Sequence, residues 1–371
     1  MSPAKVPGGR RPRRAGHSPP PARPPPGPPG PPPSSPWRPV SSPAQQHLSR
    51  EHAATGDVAA EWDQSNQQWW DWYMSLAENG GGDAPLVDLP EPPAAPSLDL
   101  HGLTRELAEP YAVSAESVAG FRRDGWVKLK GVLSPAALGL LRGELVRLFE
   151  AAEAADGRLG DRFASLEMMW ETSDVMRAFV FAPRLAKLAA DLTGADAVRL
   201  YHDNGMSKRP GCGRTPWHYD DHHFPVASDR VCTLWAPLQA VPEVMGPLGF
   251  ASGMDLVEKI ADIPFNKFDD SYDRRVGERL RDLNAPVEAS GFEPGEVSFH
   301  HGKNFHTAGP NRTTTPRMVL ATTYFEDGAR VIDAPHMVNG DWRRFMPGVE
   351  PGEIIDSPLN PVLHPAGGEN A

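Results

Sequence analysis

The sequence predicts a mainly β fold with flanking helices (α+β), and three observations carry that prediction. First, four short runs after residue 196, "AVRLYHDNGMSK", "DRVCTLWAPLQAV", "GEVSFHHG" and "RMVLATTYF", are β-branched or aromatic and bounded by Gly, Pro and Asp, as strands are. Second, the 80 or so residues before them keep helical spacing instead. Helices first and strands afterwards describe an antiparallel β core braced by helices. Third, the apolar fraction of 39% is low for a globular chain, but 42 of the 371 residues are proline and many of these lie near the N-terminus. The remainder is therefore closer to normal.

Residues 1–45 contain "PPPARPPPGPPGPPPSSP". Proline removes backbone donors and favours the extended polyproline conformation, so this segment is expected to be a disordered tail. Residues 46–111 form the next block. Within it, "EWDQSNQQWWDWYMSLAEN" (61–79) places Trp62, Trp69, Trp70, Trp72 and Tyr73 at helical spacings. That pattern predicts a helix docking an aromatic face, as a cover, a lid or a dimer contact. "NGGGDAPLVDLPEPPAAP" then reads as a linker.

The main domain is expected over residues 112–371. "SAESVAGFRRDGWVKLKGVLSPAALGLLRGELVRLFEAAE" gives a short helix, a strand and a longer helix. Ser134 is a suitable N-cap and Pro135 sits at the first helical position, where its missing N–H costs nothing. Leu138, Leu141, Leu145 and Leu148 form the buried face. Residues 254–290 are polar, charged and poor in strand signals, an insertion expected to lie over one end of the core as a lid.

Bulk charge excludes several classes. With 37 Lys and Arg against 48 Asp and Glu, the net charge is −11. A nucleic-acid binder needs a basic face, so none is expected. Arg209, Arg214 and Arg230 could still form a local anion patch. Cys212 and Cys232 are the only cysteines, which excludes a disulfide framework and a thiolate zinc site; one bridge between them stays open. The reducing cytoplasm is the simpler home. No apolar run of about 18 residues exists, so no membrane span is expected. The basic start "MSPAKVPGGRRPRR" lacks the apolar region of a secretory signal.

The densest chemistry lies in "TPWHYDDHHFPV", residues 215–226. On a strand, residues i and i+2 face the same way, so His218 and Asp220 aim an imidazole and a carboxylate at one point. By itself His-x-Asp is a weak signal. "EVSFHHGKNFHTAGPNRTTTPRMVL" offers His300, His301 and His306 as further candidates. Two histidines and one carboxylate form the facial triad of non-haem iron(II) oxygenases. Eleven residues past His306, Arg317 opens an apolar strand. Burying a guanidinium costs a great deal unless it meets an anion, and its planar fork suits a carboxylate. Together these fit iron(II) with 2-oxoglutarate.

At this point the sequence resembles the phytanoyl-CoA dioxygenase family of iron(II)/2-oxoglutarate oxygenases. "FRRDGWVKLKGVLS", "SKRPGCGRTPWHYD", "LWAPLQAVPEVMGPLGFASG" and "PGEVSFHHGKNFHTAGPNRTTTPRMVLATTYF" match family segments in order. The resemblance runs from about Phe121 to "SPLNPVLHP". It implies a double-stranded β-helix (a cupin-like jelly roll) with flanking helices. It places the iron ligands on His218, Asp220 and His306, the 2-oxoglutarate arginine on Arg317, and a second cosubstrate contact on Lys208. The implied reaction consumes 2-oxoglutarate and O₂, releases succinate and CO₂, and oxidises an unactivated C–H of a small-molecule substrate, by hydroxylation, desaturation or cyclisation.

There are departures from the family pattern. Ala308 stands where a small hydroxyl residue is usual, with Thr307 beside it but expected to point the other way. The turn after Gly-Pro-Leu reads Ala251-Ser252-Gly253-Met254, so phytanoyl-CoA itself is not the expected substrate. The intact Asp220 favours hydroxylation or desaturation over halogenation. Other residues have plainer readings. His222 and His223 are expected at the mouth of the site, His300 and His301 are not expected to ligate, Asp221 should face away, and Trp217 and Trp235 should pack around the pocket. Two rival classes remain: a zinc metallohydrolase using "HYDDHH", which lacks H-E-x-x-H and has no reason to bury Arg317, and a non-catalytic jelly-roll binding protein.

Overall fold

A computed structural model describes residues 85–90, 96–156, 159, 162–264 and 270–365. The proline-rich tail and the Trp-rich segment expected over 61–79 lie outside the described residues.

Helices α1 (Leu100–Ala108) and α2 (Ala115–Asp124) lead into β1 (Trp126–Leu129), followed by α3 (Pro135–Asp156) and β2 (Phe163–Glu167). Next come α4 (Asp174–Val180), α5 (Pro183–Thr193), β3 (Val198–Lys208) and β4 (Thr215–His218). The strands β5 (Val226–Ala227), β6 (Val231–Pro237) and β7 (Leu248–Ala251) precede two helices, α6 (Leu256–Ile260) and α7 (Ser271–Asp282). The chain continues through β8 (Val287–Glu288), β9 (Val297–His301), β10 (His306–Ala308), β11 (Arg317–Glu326), β12 (Arg330–Val331) and β13 (Val362–His364).

Local chemistry explains the helix boundaries. Asp99 accepts from the Gly102 amide at 2.7 Å and Ser114 from the Ser117 amide at 3.0 Å, each satisfying an orphan donor of a first turn. Ser134 caps α3 by accepting from the Ala137 amide at 3.1 Å. Leu138, Leu141 and Leu145 are buried and Leu148 is half-buried, the face their spacing predicts.

Two antiparallel sheets form the jelly roll. The larger runs β1-β9-β6-β11-β3-β13, with β2 also on β3; the smaller runs β4-β10-β7-β8. Side chains alternate across each strand. One face of the large sheet (Leu234, Phe299, Met318, Leu320, Tyr324) shares a core with Leu103, Leu107, Leu141 and Leu188 of the helices, α5 lying against the sheet and α1 against α4 and α5. Leu103 and Leu107 belong to α1, so the packed domain begins before residue 112. The other face meets the small sheet, where Trp235 and Val319 pack with Leu248, Phe250 and Ala308. Along β11 the inner face is polar at both ends, at Arg317 and at Thr323, and apolar between at Val319 and Ala321.

The described part of the 254–290 insertion carries α6, α7 and the short strand β8. Its Leu256, Ile260, Tyr272, Val276 and Leu280 form a small core with Phe305, Trp217 and Tyr219. Trp217 and Tyr219 alternate with His218, so α6 and α7 brace β4 from the side away from that histidine. Asp273 of α7 takes the Trp217 amide at 2.7 Å and also pairs with Arg214. Among the described residues no helix is long and apolar enough to cross a membrane.

Candidate metal centre and active site

β4 and β10 are adjacent antiparallel strands, and their register sets His306 opposite His218. The two imidazole centroids lie 4.1 Å apart. After β4 the chain stays extended through Tyr219 and enters a 3-10 turn at Asp220. The same-face geometry of His218 and Asp220 therefore survives past the end of the strand. One ligand atom from each of His218, Asp220 and His306 lies within 4.8 Å of the others, with Asp220 Oδ1 3.6 Å from His306 Nε2.

Both histidines are fixed in one tautomer. His218 Nδ1 sits 2.8 Å from the Pro216 carbonyl and His306 Nδ1 3.0 Å from the Asn304 carbonyl. A carbonyl only accepts, so each Nδ1 carries the proton and each Nε2 keeps its lone pair for the centre. Burial pushes the His218 imidazole below its ordinary pKa and His306 well below it, the neighbouring histidines adding to the effect on His306. Both rings stay neutral, as metal ligation requires. Burial opposes ionisation of the Asp220 carboxyl, and the surrounding imidazoles, by charge when protonated and by the hydrogen bond from His300, hold it well below the usual carboxylate range; with His218 and His306 neutral, that hydrogen bond remains. Among the described residues no Lys or Arg pairs with this buried carboxylate. Two neutral imidazoles and one carboxylate leave a net negative charge in a dry site, which fits a divalent cation. Adjacent ligands of a first-row metal, at about 2.1 Å each, stand about 3 Å apart, so the 3.6 Å separation needs only a small contraction.

The opposite imbalance lies at the start of β11. Arg317 is 2% exposed and Lys208, its cross-strand partner, is 0% exposed. Neither meets a carboxylate among the described residues. Arg317 Nη1 donates to the Gly246 carbonyl, its guanidinium lies 5.3 Å from the Trp235 ring centre, and its Nε has no partner. Lys208 Nζ donates to the Gly213 and Gly309 carbonyls at 2.9 and 3.1 Å. Burial pushes Arg317 down to about 10 and Lys208 well below the ordinary lysine range. Two buried basic groups without a carboxylate among the described residues, and an orphaned guanidinium N–H, fit a dicarboxylate's far end. Alternation puts Arg317, Val319, Ala321 and Thr323 on one face of β11, and Thr323 lies 3.1 Å from Thr233, which touches Asp220. One strand face thus leads from these basic groups to the carboxylate of the candidate metal centre.

Other expected residues sort as follows. Asp221 turns onto Gly302, whose missing Cβ would stand 1.7 Å from its carboxyl. His223 lies 6.0 Å from His218 by ring centres, and His222 stacks on Tyr219 at 5.2 Å, so neither joins the three-residue group. Thr307 donates to the Thr215 carbonyl at 2.5 Å, pinning β10 to β4, while Ala308 packs in the core between the sheets. Arg209, Arg214 and Arg230 form no anion patch: each is paired, with Glu153, Asp273 and Glu326. Both cysteines are buried and unbridged.

Spacing rules missed three residues. His300 Nε2 lies 3.1 Å and Thr233 Oγ1 2.6 Å from Asp220 Oδ2. Asn304, whose carbonyl orients His306, is held by its side chain to the Ala251 carbonyl at 2.8 Å. Gly125 makes room for it: its φ is +82°, and a Cβ there would stand 3.0 Å from Asn304 Nδ2.

A jelly roll with a buried His-x-Asp…His group and a separate buried arginine is the architecture of a non-haem oxygenase. The phytanoyl-CoA dioxygenase (PhyH) family matches residues 121–319, and the chain belongs to that family. It is therefore an oxidoreductase of the iron- and 2-oxoglutarate-dependent type. No curated protein matches the sequence. Solved structures share the fold. The 2-oxoglutarate-dependent carbocyclase SnoK from nogalamycin biosynthesis is 22% identical, with a TM-score of 0.56 over 68% of this chain and 99% of its own. The epimerase SnoN, in complex with Fe3+, α-ketoglutarate and nogalamycin RO, is 25% identical, with a TM-score of 0.54 over 67% and 97%. EctD from S. alaskensis, with 2-oxoglutarate and 5-hydroxyectoine, is 20% identical, with a TM-score of 0.51 over 73% and 98%.

Proposed function

We propose that His218, Asp220 and His306 hold iron(II), that Arg317 pairs with the distal carboxylate of 2-oxoglutarate with Lys208 beside it, and that the enzyme oxidises an unactivated C–H of a small metabolite. The observation that carries this reading is a pair of opposite buried imbalances among the described residues: a carboxylate without a Lys or Arg at the three-residue centre, and two basic groups without a carboxylate at the start of β11. A zinc hydrolase would explain the first and not the second.

When bound, the iron with 2-oxoglutarate and O₂ supplies the oxidising power, with succinate and CO₂ released. The chain's own part is placement. The Pro216 and Asn304 carbonyls keep each ligating Nε2 unprotonated and aimed inward. The Gly246 carbonyl and the Trp235 ring hold the Arg317 fork in a fixed plane. Helices α6 and α7 brace the strand that carries His218. Hydroxylation is the simplest outcome, with desaturation or cyclisation as variants. The small-molecule reading is supported by the substrates named for SnoN and EctD. The two buried, unbridged thiols support a reducing compartment such as the cytoplasm.

An anaerobic titration of metal-free protein with iron(II) and then 2-oxoglutarate tests this. A weak visible charge-transfer band requiring both components is expected, and Asp220→Ala should abolish it along with succinate formation. Absence of the band together with tight zinc binding would favour the hydrolase.

A further inference from the structure

His300 is a buried imidazole that the ligand set does not use. It is 2% exposed, its ring centre lies 4.3 Å from that of His306 and 5.7 Å from that of Phe250, and its Nδ1 has no hydrogen-bond partner. A phenyl ring would fill this place without leaving a polar atom unpaired. What an imidazole adds here is the contact from Nε2 to Asp220 Oδ2. A carboxylate that ligates a metal only accepts, so on the iron reading Nε2 donates. Thr233 Oγ1 donates to the same oxygen at 2.6 Å, a short charge-assisted bond. A hydroxyl has one proton, so Thr323 must donate to Thr233 across their 3.1 Å contact. Asp220 Oδ1 is the oxygen that remains, and it faces His306 Nε2.

The two donors have a common structural origin. Thr233 of β6 and His300 of β9 are register partners in the large sheet. His218 and His306 are register partners in the small one. The Asp220 carboxylate bridges the sheets, with one oxygen toward each pair.

We propose that His300 and Thr233 are positioning residues that clamp Asp220 Oδ2 and so restrict the carboxylate to a single ligating oxygen, Oδ1. This rests on the iron reading above. A carboxylate free to turn can offer a metal both oxygens, and the second would occupy a position that the cosubstrate needs. Two donors on Oδ2, delivered by one strand pair, remove that option and fix the direction of Oδ1.

The test uses the full chain with His300→Phe, His300→Gln, Thr233→Val and Thr233→Ser, and with Asp220→Ala and His306→Ala as references. Iron(II) affinity is measured anaerobically, and the electron paramagnetic resonance spectrum of the iron(II) protein is recorded with nitric oxide as probe. Outer partners of metal ligands commonly contribute about 10–100-fold in affinity. His300→Phe and Thr233→Val should each weaken iron(II) binding within that range and broaden the spectrum. Gln and Ser, which restore a donor, should recover most of both, while metal-free melting temperatures stay close to the parent's. Wild-type affinity and an unchanged spectrum in His300→Phe and Thr233→Val, with iron lost in Asp220→Ala, would overturn the clamp and leave the iron site standing. Iron loss in His300→Phe as complete as in Asp220→Ala, without rescue by Gln, would make His300 a ligand and also overturn it. Undiminished iron binding in Asp220→Ala and His306→Ala would instead refute the iron reading. Should His300→Phe fail to fold, the Thr233 pair decides.

Discussion

Replacing Arg317 by methionine separates a cosubstrate role from a structural one. The guanidinium is buried with no carboxylate partner among the described residues, and burial pushes it down to about 10. At about 1.4 kcal/mol per tenfold change in acid dissociation, that displacement is worth about 3 kcal/mol against the charged form. The hydrogen bond to the Gly246 carbonyl offsets about 1–3 kcal/mol of it. Methionine keeps an unbranched chain over Trp235, so metal-free Arg317→Met should melt close to the parent or slightly above it. Binding should change far more. Two charge-assisted hydrogen bonds to a carboxylate contribute about 1.5–3 kcal/mol each, so their loss costs at least about 3 kcal/mol, or about 100-fold in affinity. The assay is thermal unfolding with iron(II) under anaerobic conditions, with and without 2-oxoglutarate. At a concentration 100 times its Kd the cosubstrate stabilises the parent by about 2.7 kcal/mol; at the same concentration the variant should gain only about 0.4 kcal/mol. Equal stabilisation of both proteins would refute the assignment of Arg317 to the carboxylate. A collapse of the metal-free variant would show that the charge is structural.

Two further perturbations follow from named groups. Burial raises the Asp203 carboxyl to about 7 despite a hydrogen bond from the Met169 amide at 3.0 Å. The folded protein therefore holds a proton that the unfolded chain releases near pH 4, and the contribution of Asp203 to stability falls as pH rises from about 4 to about 7. Asp203→Asn lacks that loss, so its advantage in melting temperature should grow across this window and level off above it. An advantage that is constant with pH would count against a raised Asp203. Gly246 has φ +75°, and a Cβ there would stand 2.2 Å from the Gly309 carbonyl oxygen, a backbone atom that cannot swing away. Gly246→Ala should destabilise the fold by at least about 2 kcal/mol, measured by denaturant unfolding, and should weaken 2-oxoglutarate binding because its carbonyl anchors Arg317. Unchanged stability would mean that the turn can relax.

Much of the core was legible because its signals are local. The four strand runs appear as β3, β6, β9 and β11, since β-branched and aromatic residues between Gly, Pro and Asp need only their neighbours to favour extension. The cap and leucine face of α3 were readable for the same reason. The three-residue centre follows from same-face spacing at His218 and Asp220, with the family resemblance supplying His306. The insertion at 254–290 was recognised by polarity, but its position behind β4 was not, because Trp217 and Tyr219 had first to be placed on the outer face.

What the sequence determined by itself was the order of elements, the chemistry of the proposed ligand side chains and the anomaly of an arginine in an apolar strand. Only the tertiary structure decided which groups serve those residues. His300 stands 80 positions from Asp220, and Thr233 stands 90 from Thr323. His300 looked like a bystander because strand periodicity gives the face a residue occupies and not the partner across the sheet. Arg209, Arg214 and Arg230 looked free to bind an anion because their carboxylates lie on distant elements. Side-chain type and spacing are encoded along the chain; pairing across strands, and with it the orientation of each proposed ligand, exists once the two sheets close on each other.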